Sequence, residues 1–144
     1  MKNRQTISIL VADDDLEDRQ LIKEALVESR LLNQVTFVND GEELMTALKE
    51  SQTLPGLILL DLNMPKKDGR EALREIKSDP RLRPIPVIVL TTSKAEEDIY
   101  KTYNLGVNSF ITKPVSFSAL VNVLQDIAHY WFEIVELPPH GQKG

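Results

Sequence analysis

Residues 7–14 read ISILVADD, a run of mostly apolar residues that ends in two aspartates. The run is short and rich in β-branched residues, which favours a strand buried on both faces. Strands of this kind occur in parallel sheets whose two faces are covered by helices. The stretch therefore predicts a buried strand at 7–12, with the carboxylates of Asp13 and Asp14 at its carboxyl end.

Similar apolar runs alternate with amphipathic segments along the rest of the chain. Four more strands are predicted, at 35–38, 57–60, 87–90 and 109–112. Five helices are predicted, at 16–28, after Asp40, between Gly69 and Pro80, from Ser93 to Gly106, and from Ser116 or Ser118 onward. This alternation predicts an α/β fold, a doubly wound five-stranded parallel sheet whose ligand site lies at the carboxyl ends of the strands.

The 144 residues carry a net charge of −5 and contain no cysteine, which excludes disulfides and thiolate chemistry,. Five of the six residues at 13–18 are acidic, and the other acidic residues equal the 17 basic ones in number. The net charge therefore lies in one short run. A mildly acidic chain suits neither nucleic acid nor an anionic membrane, and no apolar run approaches the ~18 residues of a membrane helix. We expect one soluble, cytoplasmic domain.

Polar side chains follow four of the predicted strands. They are Asp13, Asp14, Asp61, Thr91 and Lys113. Each alone has an ordinary structural explanation, such as a helix cap or a turn, but together they converge on one edge of the sheet. Converging carboxylates repel one another, so a hard divalent cation is expected, and Mg²⁺ prefers such oxygen ligands. No histidine lies near a strand end to favour zinc or copper,.

The same residues suit phosphoryl transfer. Asp61 can attack a phosphoryl donor as a carboxylate nucleophile, while Mg²⁺, Lys113 and the Thr91 hydroxyl stabilise the phosphoryl oxygens. An aspartyl phosphatase typically has a second aspartate two residues later as general acid, but that position is Asn63,. A flavin-binding loop is disfavoured after the first strand, because three successive aspartates would repel its phosphate.

Four motifs give the chain a resemblance to the receiver domain of two-component response regulators. The motifs are ILVADD at 9–14, DLNMPKKDG at 61–69, VLTT at 89–92 and FITKP at 110–114. The resemblance implies a flavodoxin-like (βα)5 receiver domain at 1–132, with a C-terminal extension at 133–144. It implies a signalling protein that acts through protein contacts and is not an enzyme beyond its own phosphorylation and dephosphorylation. The alternative is an interaction module with this fold that does not use phosphorylation.

The resemblance also assigns the metal and phosphorylation sites. Asp61 accepts the phosphoryl group from the phosphohistidine of a sensor histidine kinase or a phosphotransfer protein. Mg²⁺ is held by Asp14, Asp61 and the backbone carbonyl of Asn63, with Asp13 acting directly or through water. The third aspartate of the run, Asp15, is interpreted as the cap of the first helix, and the acids at 17 and 18 as part of that helix start.

The resemblance further implies a switch. Lys113 and Thr91 contact the phosphoryl group, Thr91 moves toward it, and Phe110 rotates inward into the vacated space. The face built from the fourth helix, fifth strand and fifth helix then changes. The Lys113–Pro114 peptide bond is expected to be cis. Ser93 is interpreted as the residue that caps the fourth helix.

The final helix is predicted to carry two adjoining apolar stripes. Their members are Leu120, Val121, Leu124, Ala128, Trp131 and Val135, and then Val123, Ile127, Tyr130 and Ile134. Together the stripes exceed the ~100° that a helix on one sheet face needs to bury. The surplus calls for cover, either by the tail at 136–140 or by a second subunit.

We predict a homodimer formed through the fifth helix and residues 131–137, because the apolar surplus needs a partner. Its expected interface residues are Val123, Ile127, Tyr130, Trp131 and Ile134. The aromatic and acidic extension, which ends near Leu137 and Pro138, is similar to small receivers that serve phytochrome-type histidine kinases. Such a kinase is therefore the expected partner.

Overall fold

The five predicted strands form one parallel sheet in the computed structural model, which describes residues 7–27, 32–134 and 136–138. The strands are β1 (Ile7–Ala12), β2 (Leu32–Val38), β3 (Leu57–Leu60), β4 (Val87–Thr91) and β5 (Ser109–Thr112). They lie in the order β2-β1-β3-β4-β5. Because the order reverses between β1 and β3, their carboxyl ends border the crevice where folds of this class bind ligands. The predicted doubly wound α/β fold is confirmed.

The helices connect these strands. They are α1 (Leu16–Val27), α2 (Gly41–Glu50), α3 (Gly69–Ser78), α4 (Glu96–Leu105) and α5 (Phe117–Ala128), followed by a π-helical turn at His129–Ile134. Side chains cap four of the five first turns by accepting backbone N–H bonds. The capping residues are Asp15, Asp40, Asp68 and Ser116. Within the described ranges, no helix has the length and apolar character that crossing a bilayer requires.

The predicted cap of α4 is wrong. The helix begins at Glu96, and the residue before it, Ala95, makes no side-chain cap bond. The Ser93 hydroxyl donates instead to the carboxylate of Asp98 at 2.7 Å. The same hydroxyl oxygen accepts the N–H of Ala95 at 3.3 Å, which lies before the first residue of the helix.

The strands divide the core into two layers by strict alternation. Residues facing α2 and α3 include Leu10, Ala12, Ile58, Leu60, Val87 and Val89. Residues facing α1 and α5 include Ile9, Val11, Leu57, Leu59, Ile88 and Leu90. Successive side chains of a strand point to opposite faces, so continuous apolar runs can serve both layers at once. This double burial makes the strands rigid supports for the residues that follow them.

The C-terminal segment differs from the single long helix that the apolar spacing predicts. The α-helix ends at Ala128, and the next six residues form a π-helical turn, which changes the angular spacing of side chains,. Ile127 is buried in the chain's own core, and Leu137 packs back against the same layer. Part of the predicted apolar surplus is therefore covered by the chain itself. Val135 lies outside the described residues.

Two glycines allow loops to approach the site end of the sheet closely. A Cβ at Gly69 would lie 2.3 Å from the Asp61 carbonyl oxygen, and one at Gly41 would lie 2.1 Å from the Lys67 carbonyl oxygen. Both contacts involve backbone atoms that cannot rotate away. The start of α3 is thereby held against the end of β3.

We expect Gly69→Ala to lower the free energy of unfolding by about 1–3 kcal/mol, as overpacking of a dense core does. Urea denaturation followed by circular dichroism measures the change. Gly56→Ala is the matched control, because its added methyl would first meet side-chain atoms of Ile7 and Leu137 at 3.1 and 3.3 Å. Equal losses in the two variants would contradict the argument.

Candidate functional site

Backbone hydrogen bonds continue past the strand ends and fix the residues that follow. The Asp61 N–H donates to the Ala12 carbonyl at 3.0 Å, and the Asp13 N–H donates to the Val38 carbonyl at 3.1 Å. The Lys113 N–H donates to the Thr91 carbonyl at 2.7 Å. Each polar residue thus keeps the register of the sheet, and the side chains predicted to converge do so.

Three carboxylates form an acidic cluster at this edge, namely those of Asp13, Asp14 and Asp61. One oxygen from each lies within 4.8 Å of the others. Asp13 and Asp61 are buried, whereas Asp14 is exposed. Burial raises the pKa of the Asp13 carboxyl, and the bond from Lys113 acts in the opposite direction,. This set of hard oxygen donors, open to water on one side, fits a divalent cation that keeps part of its hydration shell.

Both oxygens of the Asp61 carboxylate are engaged. Oδ1 accepts the Thr91 hydroxyl at 2.8 Å and the Asn63 N–H at 3.1 Å. Oδ2 accepts the Lys113 ammonium at 3.1 Å. The Thr91 hydroxyl is thus in contact with the Asp61 carboxylate before any phosphoryl group is attached.

Lys113 is the cation of the site. Its ammonium donates to Asp13 at 2.8 Å, to Asp18 at 2.7 Å and to Asp61 at 3.1 Å. Burial lowers the pKa of Lys113, but the bonds to Asp13 and Asp18 outweigh it, and the pKa is raised overall. The lysine therefore carries its positive charge at neutral pH in spite of being buried.

The contact of Asp18 with Lys113 was not predicted. By its position in the sequence Asp18 belongs to the start of α1, where an acid in the first turn is common and stabilising,. Asp15 alone caps that helix, accepting the N–H groups of Glu17 and Asp18 at 2.9 and 3.1 Å. An acid at this position is explained by the first helical turn alone. The sequence therefore carries no signal that Asp18 also binds a distant lysine.

An ion pair beside the site was also missed. Arg70, at the start of α3, donates to both carboxylate oxygens of Asp98 on α4 at 2.7 and 2.6 Å. The hydrogen bond from Arg70 lowers the pKa of Asp98 to about 2. The two residues lie 28 positions apart in the sequence. Each alone has the pattern of an ordinary charged residue on a helix surface, so the sequence does not predict their contact. The pair joins the first turns of two helices that flank the strand ends.

Two further predictions concern Phe110 on β5 and the Lys113–Pro114 peptide bond that follows this strand. Phe110 is half-buried and packs against the α2–α3 layer, while its N–H donates to the Tyr103 hydroxyl at 3.1 Å. The expectation of a cis Lys113–Pro114 bond is wrong, since no cis peptide occurs among the described residues. The bond is trans in this structure, which is the form that X–Pro bonds favour by about 0.5–1 kcal/mol,.

Comparison with known proteins agrees with this geometry. Residues 9–125 match the family described as the response regulator receiver domain. The chain is 43% identical over 135 residues to the response regulator Rcp1 of Synechocystis sp., across 90% of this chain and 92% of that protein. It is 37% identical over 127 residues to FilR2, a probable methanogenesis regulatory protein of Methanothrix harundinacea, across 85% of this chain and 82% of that protein.

Solved structures give the same result. The phosphorylated cyanobacterial phytochrome response regulator RcpA is 45% identical, with a TM-score of 0.89 over 92% of this chain and 99% of that chain. The Mn²⁺-bound form of Rcp1 is 42% identical, with a TM-score of 0.88 and coverage of 92% and 99%. The acidic cluster of this chain and a relative determined with Mn²⁺ both fit a divalent metal site.

We expect Asp14→Asn to weaken divalent cation binding by about 2 kcal/mol, or roughly thirtyfold, because one charge facing a +2 ion is removed. Titration with Mg²⁺ or Mn²⁺ by calorimetry measures the affinity. Asp15→Asn is the matched control, since its carboxylate caps α1 and lies outside the acidic cluster. An equal loss in the control would show that only overall charge matters.

Proposed function

The chain belongs to the response regulator receiver family, and we propose that Asp61 accepts a phosphoryl group from a histidine kinase with Mg²⁺ as cofactor. The observation that carries the proposal is the environment of the Asp61 carboxylate. Thr91 and the Asn63 N–H contact one of its oxygens, Lys113 contacts the other, and the carboxylates of Asp13 and Asp14 lie beside it. This arrangement offers a nucleophile, two groups that bind a phosphoryl oxygen, and a place for a divalent cation.

The proposed transfer uses few protein groups, as is usual for phosphoryl transfer. An oxygen of Asp61 forms a P–O bond as the P–N bond to the donor's imidazole breaks, and the imidazole nitrogen takes the electron pair. Lys113 and the Thr91 hydroxyl then hydrogen-bond the phosphoryl oxygens. Asp13, Asp14, Asp61 and the Asn63 carbonyl would hold Mg²⁺, which would supply positive charge against the negative charge that develops on those oxygens,.

The proposed output is a changed protein surface. A phosphoryl group on Asp61 displaces the present bond between Thr91 and Asp61, and Thr91 follows the phosphoryl oxygen. Phe110 lies half-buried on the neighbouring strand, packed against the α2–α3 layer, and we propose that it turns inward when Thr91 moves. Such a change would spread to α4 through the contact of the Phe110 N–H with Tyr103.

The proposed partner is a phytochrome-type histidine kinase, because the similar structures include a phosphorylated phytochrome response regulator. We place this exchange in the cytoplasm. A net charge of −5 supports partners other than nucleic acid or an anionic membrane,.

We propose no catalysis beyond phosphorylation and dephosphorylation of the chain itself. We also propose that the chain consists of a receiver domain at 1–132 and a C-terminal extension at 133–144.

Incubation with Mg²⁺ and phosphoramidate tests the assignment. We expect intact mass to show one added phosphoryl group on the wild-type chain, and none on Asp61→Asn or after chelation of the metal. Asp126→Asn, an exposed acid on α5, is the matched control and should be modified like the wild type. A persistent adduct on Asp61→Asn would refute the assignment of Asp61.

We also infer a homodimer formed through α5 and the turn that follows it. Tyr130 is 50% exposed, and its ring meets Trp131 edge-on at 5.5 Å. Val123 and Trp131 are half-buried at the border of the α1–α5 layer. Ile127 is buried within the chain and would support the interface from below, while the Ile134 side chain lies outside the described residues.

We expect Tyr130→Lys to convert the dimer to a monomer, because a charged side chain would be placed against an apolar partner surface. Sedimentation velocity over a range of concentrations measures the state. Tyr100→Lys alters an exposed tyrosine of α4 and should leave the dimer intact. A wild-type chain that sediments as a monomer at every concentration would exclude the dimer.

A further inference from the structure

The donors of Lys113 are fully used in this structure. A lysine ammonium has three N–H donors and no acceptor. Its three partners are carboxylate oxygens of Asp13 at 2.8 Å, Asp18 at 2.7 Å and Asp61 at 3.1 Å. The shortest contact is therefore with Asp18, which lies outside the acidic cluster. A phosphoryl oxygen can gain a bond from Lys113 only if one of these carboxylates gives up its own.

Asp18 is the most exposed of the three carboxylates that bind the Lys113 ammonium. The Asp18 side chain is 22% exposed, against 3% for Asp13 and 8% for Asp61. Its backbone is fixed by the bond from its N–H to the Asp15 carboxylate at 3.1 Å. The Lys113 ammonium thus binds two buried carboxylates and the more exposed carboxylate of Asp18, whose backbone is held by Asp15.

We propose that Asp18 is a positioning residue for the phosphorylation of Asp61 and acts through Lys113, an inference that rests on the proposed function. Without Asp18, the ammonium has only Asp13 and Asp61 as partners, and it pairs more closely with the nucleophilic carboxylate. With Asp18, one N–H of the Lys113 ammonium stays bonded to the Asp18 carboxylate. The N–H that now contacts Asp61 then passes to a phosphoryl oxygen as the P–O bond forms and the bond to the leaving group breaks.

The rate of phosphoryl uptake from phosphoramidate, at saturating Mg²⁺ and measured by intact mass, tests this role. We expect Asp18→Ala to be about tenfold slower, which corresponds to one lost charge-assisted hydrogen bond. Asp18→Glu restores a carboxylate and should recover most of the rate. Glu17→Ala removes the neighbouring exposed negative charge and should keep the wild-type rate, which separates positioning from a general charge effect.

A double-mutant cycle identifies the route of the effect. If Asp18 acts through Lys113, Asp18→Ala has no further effect in a Lys113→Ala background. A tenfold loss in that background would overturn the proposal, as would a wild-type rate for Asp18→Ala or a failure of Asp18→Glu to recover activity.

The ¹⁵N resonance of the Lys113 ammonium gives a readout that needs no phosphoryl transfer. It should shift in Asp18→Ala and stay in place in Glu17→Ala, and an unmoved resonance in Asp18→Ala counts against the proposal. Failure of the proposed function itself is recognised separately. In that case the wild-type chain gains no phosphoryl group, and the positioning role falls with it.

Discussion

One ammonium group holds together carboxylates that would otherwise repel one another at the edge of the sheet. Lys113 contacts three aspartates, and two of them, Asp13 and Asp61, are buried. Buried like charges are costly unless they are paired, so this site depends on the lysine being charged and in place. The carboxylate contacts raise the pKa of Lys113 against the opposing effect of its burial. The charge that the site needs is therefore sustained by the carboxylates that it pairs.

The fold brings these groups together through the backbone, because each of them directly follows a strand of the sheet. The two central neighbours β1 and β3 carry Asp13 and Asp61 directly after their last residues, and β5 delivers Lys113 from the edge of the sheet. Hydrogen bonds that extend the ladder by one residue hold each of them. Both faces of the sheet are buried under helices, so the positions of these residues follow from the rigidity of the core,.

The departures from prediction occur where local and tertiary effects compete. Ser93 has a serine's usual preference for capping a helix, yet it binds Asp98, which Arg70 also holds from another helix. The apolar spacing of α5 continues beyond Ala128, but the backbone widens into a π turn, and Leu137 returns to the core. Ser93 bonds to a charged acceptor five residues later that Arg70 also binds from α3, and Leu137 packs against a layer formed by residues distant in sequence. Both arrangements differ from those that local spacing favours.

The sequence by itself determined the alternation of strands and helices, and it placed the acidic cluster and Lys113 directly after their strands. All of these follow from short patterns, since a buried strand and the residue after it are adjacent in the chain. Only the tertiary structure decided that Asp18 binds Lys113, that Arg70 binds Asp98, and that Thr91 already touches Asp61. The physical reason is that hydrogen bonds and ion pairs depend on distances of a few ångströms between residues from different elements. Local spacing places the elements, but it does not specify which charged side chains meet across them.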